Sequence, residues 1–162
     1  MPGFCPDPAH VRDKDGIATS VVAASLVAAL KAQGRSVWDE LERLARLHGL
    51  HVSSPLTFRV EEIEQIASGM ARLRAQPPSI LAGSPVVEVS DLSQGYRGLP
   101  PTDGVLVLTE AGDRVIARPS GTEPKLKCYL EVILPVAEGE PLPWEQAREH
   151  LDAIKGAFAE II

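Results

Sequence analysis

The stretch that decides the fold is G-V-L-V-L-T-E-A-G-D-R-V-I-A-R-P at 104–119, followed after a short loop by K-L-K-C-Y-L-E-V-I-L-P at 125–135. Both parts are rich in β-branched residues and alternate in polarity, a pattern typical of strands. The tetrapeptide E-A-G-D at 110–113 has the composition of a hairpin turn. Together with S-P-V-V-E-V-S-D upstream, the pattern predicts four strands, at 85–92, 104–109, 114–119 and 125–135.

Helices are predicted on both sides of these strands. Apolar residues keep helical spacing from Val60 to Leu73, with glutamates in the first turn. The same spacing returns after Pro143 and places Trp144 on an apolar face, and Trp38 lies on such a face earlier in the chain, so both are expected in the core. The order helix, four strands, helix indicates the α+β class, with a four-stranded antiparallel sheet and helices on one face.

A helical hairpin is predicted before this unit. The first helix, Ile17 to Gln33, follows Asp15 as N-cap, and the second begins after Ser36, with Asp39 three residues later, and runs to Gly49. The first helix is apolar almost all round but has no strand to pack on. We therefore expect its partner to be absent from this chain, a second copy, or another protein.

Charge and cysteine usage narrow the function classes. The net charge of −6 argues against binding a nucleic-acid backbone or an anionic membrane. The uncharged run 16–30 is shorter than a membrane span needs. The two cysteines are far apart in the sequence, and neither has a Cys or His nearby at the spacing of a metal site. This usage indicates a protein of the reducing cytoplasm and predicts no metal site. Four scattered histidines, His150 among them, are expected to be solvated or capping.

The loop R-P-S-G-T-E-P-K at 118–125 carries the chemistry. Fixed charge, hydroxyl donors and an open backbone are what a dianionic phosphate needs, and the loop offers Arg118, Lys125, Ser120, Thr122 and a turn at Gly121. By composition alone an ordinary solvated hairpin turn fits equally well.

The same loop, extended to L-K and followed by C-Y-L-E-V at 128–132, closely resembles the phosphate-binding loop of the α-D-phosphohexomutases, which include phosphoglucomutases and phosphomannomutases. V-R-D-K-D-G-I at 11–17 resembles the segment that closes the third domain of those enzymes, and G-S-P-V-V-E-V-S-D at 83–91 resembles the strand that opens the fourth. The resemblance runs in order along nearly the whole chain.

The resemblance implies a division into residues 1–50, the C-terminal remnant of an α/β third domain, and residues 51–162, a C-terminal phosphate-binding domain with a TATA-binding-protein-like fold. In that family a phosphoserine transfers phosphate between sugar positions 1 and 6 through a bisphosphate intermediate. By the resemblance the non-reacting substrate phosphate would be held by Arg118, Ser120, Gly121, Thr122 and Lys125. Lys14 and Lys127 are further candidate substrate contacts.

The family's other motifs do not occur in this sequence. There is no T-A-S-H-N-P type serine loop and no D-x-D-x-D-R metal loop, and D-K-D-G at 13–16 is interpreted as a helix cap. We therefore predict no catalytic residue and no cofactor in this chain, while Mg²⁺ and glucose 1,6-bisphosphate are expected for a full-length parent enzyme.

Three hypotheses follow. The first is the C-terminal portion of a phosphohexomutase, an isomerase by family, separated from its catalytic half and inactive alone. The alternatives are a stand-alone phosphosugar-binding module and an interaction subunit that docks through residues 1–50 on the missing half or on a second copy. Glucose, mannose and pentose phosphates all stay open as the sugar.

Overall fold

The computed structural model describes residues 5–121 and 123–161, except for the side chain of Ile63. The chain divides into two compact units, the first ending at Leu47 and the second beginning at His48. Four helices are described, α1 (Gly16–Ala32), α2 (Val37–His48), α3 (Ile63–Ala75) and α4 (Trp144–Ala159). The strands are β1 (Leu50–Arg59), β2 (Ile80–Leu81), β3 (Ser84–Asp91), β4 (Val105–Thr109), β5 (Arg114–Pro119) and β6 (Lys125–Leu134).

The predicted caps of the helical hairpin are confirmed. The Asp15 carboxylate accepts hydrogen bonds from the backbone N–H groups of Ile17 and Ala18, at 3.1 and 3.0 Å. At the start of α2 the Asp39 N–H donates to Ser36 Oγ at 3.2 Å, and the Ser36 N–H donates to Asp39 Oδ2 at 2.7 Å. This reciprocal pair satisfies donors that a helix start leaves free.

Helix α1 exposes apolar side chains around its circumference. Leu30 is buried, whereas Ile17 is 85% exposed and Val21 is 65% exposed. The expectation that this helix packs against a partner absent from the chain stays a prediction. Among those residues no single helix is long and apolar enough to cross a membrane, and α1 with α2 meets that test only as a pair bent by 91°.

The second unit is built on one antiparallel sheet with the strand order β1-β6-β5-β4-β3-β2. The four predicted strands and the E-A-G-D hairpin are confirmed, with Thr109 and Gly112 closing the turn by backbone hydrogen bonds. The predicted class is correct, but the described sheet has six strands rather than four. The long strand β1 adds beside β6, and the two-residue strand β2 adds beside β3.

One face of the sheet forms the core, and α3 and α4 contact the sheet there. We call it the core face. The fully buried residues of the three central strands lie on this face and pack with the apolar side of α4; they are Val105, Val107, Val115, Ala117, Leu126, Cys128, Leu130, Val132, Ala147, Ile154 and Phe158. The core prediction for the two tryptophans was wrong, because Trp38 is 76% exposed and Trp144 is 44% exposed.

A buried polar network ties the β4–β5 hairpin to α4. The Asp113 carboxylate, only 2% exposed, accepts a hydrogen bond from Thr109 Oγ1 at 2.9 Å and lies 2.9 Å from His150 Nε2. The prediction that His150 is solvated or capping was therefore wrong. A buried carboxylate needs partners, and the histidine supplies one from across the core.

Candidate functional site

The predicted phosphate loop connects β5 to β6 at one end of the sheet. The Ser120 N–H donates to the Lys125 carbonyl at 2.8 Å, and the Lys125 N–H donates to the Glu123 carbonyl at 2.7 Å. The Val60 N–H donates to the Pro124 carbonyl at 3.2 Å. The loop is thereby fastened to its own strands and to the residue after β1.

Strand register places the basic side chains of this region on the sheet face opposite the core, which we call the open face. Arg118 lies directly opposite Lys127, and Lys127 lies opposite Thr57 on the other side. Because Leu126 and Cys128 point into the core, Lys125 and Lys127 point to the open face. Three predicted site residues, Arg118, Lys125 and Lys127, therefore share one face at one end of the sheet.

A fourth cation belongs to this group. Arg59, at the end of β1, lies directly opposite Lys125 in the β1–β6 ladder and is exposed. The local sequence does not single out Arg59, because its neighbours along the chain are apolar and its basic neighbours are on a distant strand. The alternation of buried and exposed residues along β1 does give a clue, because Arg59 follows the inward-facing Phe58 and must therefore point away from the core.

The charges of this cluster are largely uncompensated. Lys125 Nζ forms an ion pair with Glu123 Oε1 at 2.6 Å, and the Lys125 side chain is only 15% exposed. No described carboxylate lies within ion-pair distance of Arg59, Arg118 or Lys127. Four cations thus have one described carboxylate partner, in a protein whose net charge is −6.

The electrostatic environment of Glu123 reports on this cluster. The hydrogen bond from Lys125 and its charge hold the pKa of Glu123 below its usual range, against a smaller opposing effect of desolvation. The positive charges of Lys127 and Arg59 lower the same pKa further. A carboxylate in this position is therefore stabilised as an anion by cations from β1 and β6 together.

The tip of the loop is open. No described residue accepts a hydrogen bond from the Gly121 N–H, and a Cβ added at Gly121 would meet no atom within 4 Å. The φ of Gly121 does not lie in the left-handed region that favours glycine, and its role in the turn of the loop stays a prediction. Thr122, also predicted in the site, lies outside the described residues.

The remaining candidate, Lys14, belongs to the first unit, where its Nζ lies 3.0 Å from Asp13 Oδ1. The D-K-D-G segment does not fit a metal site, because Asp15 caps α1 and Asp13 accepts hydrogen bonds from Lys14. In residues 5–121 and 123–161 no three His, Cys, Asp or Glu side chains are grouped to hold a metal ion.

Away from the loop, the open face no longer carries uncompensated positive charge. Beyond the Arg118–Lys127 pair comes Tyr129, 43% exposed, opposite Pro55 and Ile116. Further along, Glu131 binds Arg114 at 2.6 Å. The uncompensated positive charge is therefore confined to the loop end of the face.

Comparison with known proteins gives a consistent assignment. Residues 57–140 match the family described as phosphoglucomutase/phosphomannomutase, C-terminal domain. A probable phosphomannomutase from Haemophilus influenzae is 40% identical over 129 residues, which cover 80% of this chain and 26% of that protein. A phosphopentomutase from Mus musculus is 26% identical over an alignment covering 96% of this chain and 27% of the relative.

Among solved structures, the open form of parafusin, a phosphoglucomutase from Paramecium, matches with a TM-score of 0.63 at 17% identity. The match covers 94% of this chain and 28% of the parafusin chain, and it supports the fold. The chain spans about a quarter of the length of the curated relatives it matches. By the match over 57–140, which covers the β5–β6 loop and its basic cluster, the chain belongs to the phosphoglucomutase/phosphomannomutase family and contains its C-terminal domain.

Proposed function

We propose that this chain provides the site that anchors the non-reacting phosphate of a phosphorylated sugar in a phosphoglucomutase or phosphomannomutase. Arg118, Ser120, Gly121, Thr122 and Lys125 bind the phosphate, and Lys127 lies beside them. The whole enzyme moves a phosphate between sugar positions 1 and 6 through a phosphoserine and a bisphosphate intermediate. The catalytic serine and the metal loop belong to other parts of that enzyme.

The observation that carries this proposal is the cation cluster at the loop end of the open face, in which Arg59, Arg118 and Lys127 have no described carboxylate within ion-pair distance. Arginine donates two parallel hydrogen bonds to phosphate oxygens, while a lysine ammonium adds a compact point charge. The open space at Gly121 leaves room for an anion close to the backbone. The repulsion between the cations of such a cluster is relieved when an anionic ligand binds, even though the protein as a whole is acidic.

Anchoring has a defined chemical role. Binding energy from the remote phosphate fixes the position of the sugar, so that the hydroxyl to be phosphorylated is presented to the catalytic groups. Anchoring requires no proton transfer between this loop and the substrate, because hydrogen bonds and charge are enough to hold a phosphate in place. We therefore expect no mutase turnover from this chain alone.

The cofactors fit the same proposal. Mg²⁺ and glucose 1,6-bisphosphate would serve the whole enzyme, and Mg²⁺ would be held outside this chain because D-K-D-G is used for capping. When bound, the metal would supply charge stabilisation for phosphoryl transfer. A cytoplasmic location suits the two free cysteines, Cys5 and Cys128.

The exposed apolar surface of α1 favours a partner for the first unit. Val21, Leu26 and Val27 are all about half exposed or more, which is unusual for one helix of a folded protein. The partner we propose is the catalytic half of the same enzyme, and a second copy of this chain is the alternative. Lys14 would then approach the substrate from the third domain.

The test is a thermal-unfolding titration of the chain with glucose 1,6-bisphosphate. A ligand that binds the folded state at ten times its Kd adds about 1.4 kcal/mol of stability. Replacing Arg118 with Gln removes charge-assisted hydrogen bonds worth roughly 1.5–3 kcal/mol each, so the shift should disappear at the same ligand concentration. Glucose without phosphate should give no shift.

The matched control is Arg148→Gln, which removes the same charge from an exposed position on α4. This variant should keep the full ligand-dependent shift. Equal shifts in the wild type and Arg118→Gln would remove Arg118 from the site. No shift in the wild type, or sustained mutase turnover by the purified chain, would contradict the proposed role.

A further inference from the structure

The cation cluster is arranged on three neighbouring strands, with β6 between β1 and β5. Arg118 approaches from β5 and Arg59 from β1, while Lys125 and Lys127 stand on the strand between them. Neighbouring strands are about 4.8 Å apart, and Arg59 and Arg118 are offset by two residues along β6, so the two arginine Cα atoms are separated by roughly 12 Å. An anion placed over the start of β6 is therefore flanked by both long side chains.

Arg59 is available for such a ligand. It is exposed, and no described acidic group forms an ion pair with it. Its charge reaches the loop, because it is one of the cations that lower the pKa of Glu123. Glu123 forms an ion pair with Lys125 at 2.6 Å. The Glu123 carboxylate thus shows that a negatively charged group at this position is attracted by cations from two strands.

We propose that Arg59 is a further binding residue of the phosphate site, contacting the ligand phosphate from the β1 side while Arg118 contacts it from the β5 side. The inference rests on the proposed function and adds one residue to it. The planar guanidinium would donate to phosphate oxygens that Arg118 and Ser120 do not reach. A phosphate held from both sides is fixed in orientation as well as position, which a single arginine on β5 would not achieve.

The experiment measures Kd by calorimetry for glucose 1,6-bisphosphate and for inorganic phosphate as the minimal probe. Four variants are compared with the wild type: Arg59→Gln, Arg59→Lys, Arg118→Gln and the control Arg148→Gln. Loss of one charge-assisted contact predicts a Kd about tenfold higher in Arg59→Gln. Arg59→Lys keeps the charge but loses the planar fork, so its Kd should lie between the wild-type and Gln values.

Ligand-free unfolding is measured in parallel, since the exposed Arg59 should be replaceable without loss of stability. If Arg118→Gln weakens binding while Arg59→Gln matches Arg148→Gln, the inference about Arg59 is overturned and the proposed function stands. If the wild type binds neither probe, both fail. A Kd raised in Arg59→Gln, with unchanged ligand-free stability, supports Arg59 as a ligand contact.

Discussion

Replacing Asp113 with Ala should destabilise the second unit by about 3 kcal/mol, because a buried carboxylate leaves two partners behind. Thr109 Oγ1 and His150 Nε2 each lie 2.9 Å from Asp113 Oδ2. Hydrogen bonds to a charged group contribute roughly 1.5–3 kcal/mol each, so the two contacts give at least about 3 kcal/mol. The side chain is 2% exposed, so water cannot replace it without rearrangement.

The assay is chemical denaturation, supported by thermal unfolding. For a unit of this size 1 kcal/mol corresponds to roughly 4 °C, so Asp113→Ala should lower Tm by about 12 °C. The matched control is Asp152→Ala, because Asp152 is an exposed aspartate of α4 paired with Lys155. An exposed ion pair of this kind is worth about 0–1 kcal/mol.

A double-mutant cycle isolates the contact across the core. Asp113→Ala and His150→Ala should be non-additive by about 1–3 kcal/mol, because each removes the other's partner. A loss below about 0.5 kcal/mol in Asp113→Ala, the range of ordinary surface substitutions, would show that the buried network does not stabilise the contact between the hairpin and α4.

Two further predictions concern titratable groups. The ion pair with Lys125 lowers the pKa of Glu123 in the folded state. The stabilisation from this pair should therefore be present above the unfolded-state pKa of Glu123 and be lost as the pH falls through its folded-state pKa. Titration of the carboxyl group by NMR should give a folded-state pKa below 4.5, and a value at or above 4.5 would contradict the ion pair. Burial raises the pKa of Cys128 to about 12, so at pH 8 a thiol reagent should modify Cys5 in the folded chain and reach Cys128 after unfolding. Equal reaction rates of the two thiols would show that Cys128 is accessible.

Local patterns predicted the central elements well. Strand β5 was predicted with its observed bounds, and the hairpin and the two helix caps follow from short-range signals in the residues that form them. The hydrogen bonds of these caps and of the turn join residues at most four positions apart, as for Asp15, Ser36 and Gly112. Both partners of each bond can therefore be seen in a short stretch of sequence. The family resemblance added the site loop, which periodicity alone leaves ambiguous.

The features that sequence reasoning missed depend on distant partners. Strand β1 was not among the four predicted strands, because its place beside β6 depends on pairings such as His51 with Ile133. Strand β2 has two residues, too few for any periodicity. The same reason applies to Arg59 and His150, because the partner of each, Lys125 and Asp113 respectively, lies on an element far along the chain.

An amide NMR titration of the chain with glucose 1-phosphate tests most directly whether the β5–β6 loop binds a phosphate. The largest shift changes should occur at Ser120, Gly121, Lys125 and Lys127. They should saturate in the wild type and vanish in Arg118→Gln. The amides of α4 should change little, because that helix packs against the core face. Changes centred away from the β5–β6 loop, or equal changes in the Arg118 variant, would contradict the assignment of this loop as the phosphate anchor.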